Sequence, residues 1–179
     1  ALSMLWMAQY DGEETNAETA KELWKEAGAT LPAGFAPPLL QYLNSPHRGV
    51  REAAAAALAA GCSEELYPAA ASESLASLID VDAYKGRTPV GRSGTASGLS
   101  HLATRFATGT DTTGSDLSAA LNFLLQAGLA DHHDTVRAEM IDAGVKIVDY
   151  HGSKDATSAA TMLPMFEGAL EGRPAGSHL

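Results

Sequence analysis

Leu124-Leu125-Gln126-Ala127-Gly128-Leu129, then Ala130-Asp131-His132-His133-Asp134-Thr135, then Val136-Arg137-Ala138-Glu139-Met140: this stretch decides the fold. It reads as an apolar helix end, a short polar turn, and a second helix opening on a β-branched residue beside an arginine. The same phrase stands upstream as Leu39-Leu40-Gln41-Tyr42-Leu43, Asn44–Gly49 and Val50-Arg51-Glu52-Ala53-Ala54. A degenerate copy runs through Leu75–Tyr84, Lys85–Gly91 and Arg92-Ser93-Gly94-Thr95-Ala96.

Arg51, Arg92 and Arg137 stand 41 and 45 residues apart. Both gaps fall within the period of about 40–47 residues of HEAT and armadillo units. No segment alternates with period two and β-branched enrichment, so the expected fold is all-α. Neither helix of such a pair can bury its stripe alone, and stacking pair on pair gives an α-solenoid.

Working outward, Asp116–Leu129 carries Leu117, Leu121, Leu124, Leu125 and Gly128 on one stripe. The next helix carries Val136, Met140, Ala143, Ile147 and His151, with Asp134 as its expected N-cap and Gly152 as its stop. Near the start, Ala20, Leu23, Trp24 and Ala27 share a face, Thr15-Asn16-Ala17-Glu18 reads as a capping box, and Gly28 as a stop. The expected units are therefore a helix pair in 1–27, repeats in 31–61, 67–108 and 115–152, a first helix of a further repeat in 156–170, and a tail in 171–179. Thr108–Gly114, rich in Gly and Thr, is the expected mobile loop.

Composition agrees. Apolar residues make up 45% and aromatics 6%, with Ala and Leu, strong helix formers, prominent. The net charge is −10, from 22 acidic and 12 basic residues, which disfavours direct nucleic-acid binding and suits basic protein partners. A single cysteine, Cys62, rules out an internal disulfide framework and suits a reducing compartment. No run of 18 apolar residues offers a membrane span. The chain opens on Ala1 in what reads as mid-helix, without a basic n-region, so an excised piece of a longer chain is expected.

The sequence offers little chemistry. His132-His133-Asp134 lacks an i, i+4 partner or a second cysteine to complete a zinc set. Gly91–Gly98 lacks the Gly-Lys-Ser/Thr ending of a phosphate loop, spells no Gly-x-Ser-x-Gly, and its small residues suit close helix approach. Trp6 and Trp24 fall on apolar stripes. Asp11-Gly12-Glu13-Glu14 reads as a solvated turn, with docking of a basic protein tail as the sharper alternative. No catalytic, cofactor-binding or metal residue is expected. The repeat signature is Arg51, Arg92, Asp131, Val136 and Arg137: Asp131 caps its helix, and Arg137 reaches a carboxylate or carbonyl of a neighbouring unit.

Glu22-Leu23-Trp24-Lys25-Glu26-Ala27-Gly28 resembles the Leu-Trp-Glu-x-x-Gly phrase of the giant activator of the initiation-factor-2α kinase, a ribosome-associated HEAT scaffold of general amino acid control. Asn122–Leu125, Gly128–Asp131, Val136–Gly144, Ile147–Gly152 and Met162–Glu167 are similar to that family's stretch just ahead of its elongation-factor-3-like region. Where the family has Pro-Trp-x-x-Arg, this chain has Pro89-Val90-Gly91-Arg92, one residue shorter and without the tryptophan. The resemblance implies a non-catalytic cytoplasmic scaffold on stalled or collided ribosomes that relays uncharged-tRNA status to the kinase. It also implies that the kinase and an ATP-binding-cassette partner engage neighbouring regions, leaving this segment as spacer and ribosome-facing surface. The alternative reading is a HEAT adaptor of another system, a transport receptor or chromatin-complex arm.

Overall fold

The computed structural model describes residues 1–106 and 115–153. The Thr108–Gly114 loop, the 156–170 helix and the 171–179 tail of the sequence reading lie outside the described residues. All regular structure among the described residues is helical: α1 (Leu2–Ala8), α2 (Glu14–Glu26), α3 (Ala36–Tyr42), α4 (Arg48–Gly61), α5 (Ala69–Ile79), α6 (Val81–Gly86), α7 (Pro89–Leu102), α8 (Asp116–Phe123) and α9 (Asp134–Gly152). A 3₁₀ turn over Ala103–Arg105 ends α7, and a π turn over Leu124–Gly128 ends α8. None of these helices is long and apolar enough to cross a membrane.

The helices stack as pairs. α3 packs on α4, α5 on α7, and α9 on the π turn that closes α8. The inner helices α4, α7 and α9 form the most heavily packed row. The first pair departs from this order: α1 packs on α4 and α3, while α2 lies mainly against α1. As a result α2 buries only Ala17 and Ala20, and Leu23 is exposed. The stripe read from Ala20, Leu23, Trp24 and Ala27 is thus only half used, with Trp24 partly buried and Ala27 exposed. Trp6 anchors the pair, its indole N–H donating to the Ala57 carbonyl at 2.9 Å and its ring 5.4 Å from that of Trp24.

Small residues let the row close up. Gly94 of α7 lies against the Leu43 carbonyl at the end of α3, where a Cβ would overlap the oxygen. Gly61 faces the Phe35 ring in the same way. In α9 the predicted stripe is the observed one: Val136, Met140, Ala143, Ile147 and His151 are all buried. Gly28 ends α2 with φ +56°, and the Gly28 and Ala29 amides donate to Lys25 and Trp24 in a Schellman motif.

Several helix starts differ from expectation. α2 begins before the supposed capping box, so Thr15 sits inside the helix and the N-cap is Glu13, without a side-chain cap. α9 is capped by His133, again without a side-chain bond, and Asp134 is its first residue. The expected helix through Tyr84 breaks at Asp80, whose carboxylate accepts the Ala83 amide at 2.9 Å and restarts the chain as α6. Pro89, Val90 and Gly91, expected in a turn, open α7. Proline needs no amide partner in a first turn, and the Thr88 hydroxyl caps the Gly91 amide at 3.2 Å.

Candidate functional site

Four helices start alike. Glu13, His47, Thr88 and His133 precede α2, α4, α7 and α9, each with extended backbone. In three of the turns, the side chain two positions earlier accepts the amide of that residue. Asp11 accepts from Glu13 at 2.9 Å, Ser45 from His47 at 3.3 Å, and Asp131 from His133 at 2.9 Å. Four positions beyond the extended residue stand Ala17, Arg51, Arg92 and Arg137. Each arginine folds back on its own turn: Arg51 donates to the Ser45 carbonyl at 3.0 Å, Arg92 to the Arg87 carbonyl at 2.9 Å, and Arg137 to the Asp131 carbonyl at 2.8 Å.

One arginine also crosses between pairs. Arg92 Nε and Nη2 donate to the two Asp131 oxygens at 2.6 and 3.2 Å, and the Tyr84 hydroxyl donates to Oδ2 at 2.6 Å. All three side chains are buried. Burial pushes the Asp131 carboxyl upward, but the Arg92 and Tyr84 hydrogen bonds and the His133 amide outweigh it and hold the group below its ordinary value. Burial, together with Asp131, raises the Tyr84 phenol. The neighbour-reaching role assigned to Arg137 therefore falls to Arg92. Arg137 stays within its own turn, on the Asp131 carbonyl and on Asp134 Oδ1 at 2.6 Å. Val136 packs in the core beside it.

Arg51 has no such carboxylate. The position in the next turn that corresponds to Asp131 is Gly86, and the neighbouring Arg87 guanidinium is turned onto the Ser77 and Leu78 carbonyls and the Thr95 hydroxyl. Arg51 is 8% exposed, and its Nε has no hydrogen-bond partner among the described residues.

Elsewhere the inner row carries a polar cluster. Glu52 accepts the Ser97 hydroxyl at 2.8 Å and pairs with His101 Nε2 at 3.1 Å, beside a cleft of about 110 Å³ that Arg48, Glu139, Asp142 and Lys146 also line. Glu52 sits between Ser97 and His101, so the serine hydroxyl meets a carboxylate and not the imidazole that would activate it. His132 is exposed at the turn, and no group of three metal-binding side chains forms among the described residues. His151 is buried, hydrogen-bonded through Nε2 to the Ala103 carbonyl at 2.7 Å and stacked on Phe106. Burial pushes the Cys62 thiol up to about 11, which makes it a poor nucleophile. An apolar groove of about 270 Å³ runs between the π turn and α9, lined by Leu121, Leu124, Leu125, Ile141, Val145 and Val148.

Stacked helix pairs, joined by an aspartate in one turn and an arginine at the head of the preceding inner helix, define an α-solenoid of the HEAT type. Within that class the chain belongs to one family: the family described as "Stalled ribosome sensor GCN1, HEAT repeats" matches residues 1–178. The chain is 33% identical over 174 residues to Protein ILITYHIA of Arabidopsis thaliana, covering 93% of this chain and 6% of that protein. It is 26% identical over 188 residues to the human stalled ribosome sensor GCN1, covering 97% of this chain and 7% of that protein. The chain thus spans a small fraction of the length of these relatives. No solved structure matches it.

The sequence reading singled out Asp131 and Arg92 without pairing them, and it missed Tyr84. The signal it passed over was the Asp11-x-Glu13, Ser45-x-His47 and Asp131-x-His133 spacing, a short acceptor two residues ahead of an extended one.

Proposed function

We infer that the chain is a non-catalytic HEAT segment of a cytoplasmic, ribosome-binding scaffold that activates the initiation-factor-2α kinase under translational stress. The observation that carries this reading is the family match along nearly the whole chain, on a solenoid whose buried polar groups serve packing. The units are those of residues 1–27, 31–61, 67–108, 115–152 and 156–170. Arg51, Arg92, Asp131, Val136 and Arg137 form their repeat signature, and the kinase and the ATP-binding-cassette partner engage neighbouring regions. The segment's own part is to hold those regions at a set spacing and to offer its acidic surface to basic ribosomal-protein tails.

The test is sedimentation of the full-length protein from amino-acid-starved cells, with and without this segment. The expected result is co-migration with polysomes and collided ribosomes, and a loss of initiation-factor phosphorylation when the segment is deleted. Deletion that leaves both unchanged sinks the reading, as does co-purification with a transport cargo or a chromatin subunit instead of ribosomes. Hydrolase or transferase activity abolished by Ser97→Ala or His133→Ala would overturn the non-catalytic assignment.

A further inference from the structure

In the turn that leads into α9, the Asp131 carboxylate accepts from the Arg92 guanidinium, through Nε and Nη2, and from the His133 amide two positions on. The turn that leads into α7 has Gly86 at that place. Both corresponding donors are present and neither is taken. Arg51 is 8% exposed, and its buried Nε is unpartnered among the described residues. The Thr88 amide, two positions after Gly86, has no acceptor among them either. Arg51 is also held as Arg92 is, with Nη1 on the carbonyl five residues back. That carbonyl is Pro46 at 3.3 Å for Arg51 and Arg87 at 2.9 Å for Arg92. The shared anchor turns the Arg51 Nε toward the Gly86 turn, as it turns the Arg92 Nε toward Asp131. The place of the absent side chain is open: a Cβ on Gly86 would meet nothing within 4 Å, and Gly86 itself is exposed.

The charge at this seam runs against that of the chain. The net charge is −10, yet no acidic residue occurs from Ala27 to Arg51 or from Ala83 to Phe106. The two turns carry Arg48, Arg51, Lys85, Arg87 and Arg92, five of the chain's 12 lysines and arginines. The flanking carboxylates are committed: Asp80 to the Ala83 amide, Glu52 to Ser97 and His101, and Asp131 to Arg92 and Tyr84. We propose that the α4–α7 seam at Gly86 receives a carboxylate side chain from an acidic peptide segment of a protein partner. Arg51 Nε and the Thr88 amide hold it in the place that Asp131 fills at the next seam. A side-on carboxylate is the group that this edge of a guanidinium pairs with at Arg92, and position 86 supplies none from within the chain. Leu43 stands where Tyr84 does, eight residues before the arginine, so the incoming group has one donor fewer than Asp131 and its capture is weak and reversible.

The experiment titrates the 179-residue chain with a capped hexa-aspartate peptide and follows the Arg51 Nε–H and Thr88 amide signals by NMR. Both should move together and saturate. Arg51→Lys keeps the charge but lacks Nε, and should weaken binding about tenfold, the order of one charge-assisted contact. Gly86 has no positive φ, so Gly86→Asp should fold and supply the carboxylate in cis. Its Arg51 signal should start at the bound position, its melting temperature should rise, and peptide binding should fall by about tenfold or more. Gly49→Asp, which adds the same charge at an open position of the neighbouring turn, should cost much less, because salt screens a charge that does not fill the site. Equal losses in the two aspartate variants would show diffuse attraction and overturn the site. An Arg51 signal that stays still while the peptide binds overturns it too, as does a Gly86→Asp chain that melts no higher than the wild type. An RNA oligonucleotide that moves the same signals at lower concentration overturns the choice of a carboxylate. Self-association of the chain through this seam, in place of peptide binding, overturns the choice of partner.

Discussion

Asp131 accepts four hydrogen bonds through its carboxylate, from Tyr84, from two nitrogens of Arg92 and from the His133 amide. Removing one partner of so buried a pair leaves the other charge without compensation, which costs about 3–5 kcal/mol. Asp131→Ala should therefore shift the urea midpoint strongly, while the double change Asp131→Leu with Arg92→Met should recover much of the loss. An unchanged midpoint for Asp131→Ala would contradict a stabilising Arg92–Asp131 pair. The carboxyl titrates below its ordinary value in the fold, so its stabilisation is fully present above the unfolded value of about 3.9 and is lost as pH falls through the folded one. Urea unfolding at pH 7 and at pH 3 should show that loss in the wild type and a smaller one in Asp131→Asn. Arg137, by contrast, bonds only within its own turn, so Arg137→Ala should cost about 0.5–1.5 kcal/mol by the same measurement. A cost equal to that of Asp131→Ala would mean that Arg137 bridges pairs after all.

At the scale of helices, α9 was legible because its five residues at helical spacing are all covered, by α7 and by the 3₁₀ and π turns. The stripe of α2 was equally regular, yet Leu23 faces solvent, because α1 and not α2 took the place against α4. Periodicity tells which residues share a face and is silent on whether anything covers it. The same limit hid the crossing bond. Arg92 and Arg137 occupy equivalent places in their helices, and only the stacking decides that Asp131 lies across from the first. The Gly94 position was legible as a close approach, and the structure names the partner as the Leu43 carbonyl. Backbone cannot step aside as a side chain can, so Gly94→Ala should cost about 1–3 kcal/mol or more by thermal melting. A neutral result would show that α7 does not lie so near the end of α3.

Across the whole molecule, both tryptophans belong to the first pair, so their fluorescence reports on one end while far-UV dichroism reports on every helix. In a stack where each pair touches only its neighbours, the pair with the least buried surface opens first. Here that is the first pair, since α1 buries no residue fully and α2 buries two alanines. The fluorescence transition should precede the dichroism transition in urea, and coincident curves would show a single cooperative block. The seam from α7 to α9 carries a buried ion pair, whereas the Arg51 at the seam from α4 to α7 faces no carboxylate. A rod pulled from its two ends would therefore not stretch evenly. The α4–α7 joint, crossed by the partly exposed Glu52 bonds to Ser97 and His101, would yield before the α7–α9 joint with its buried pair, giving a spring whose compliance is written by a glycine at 86 and an aspartate at 131.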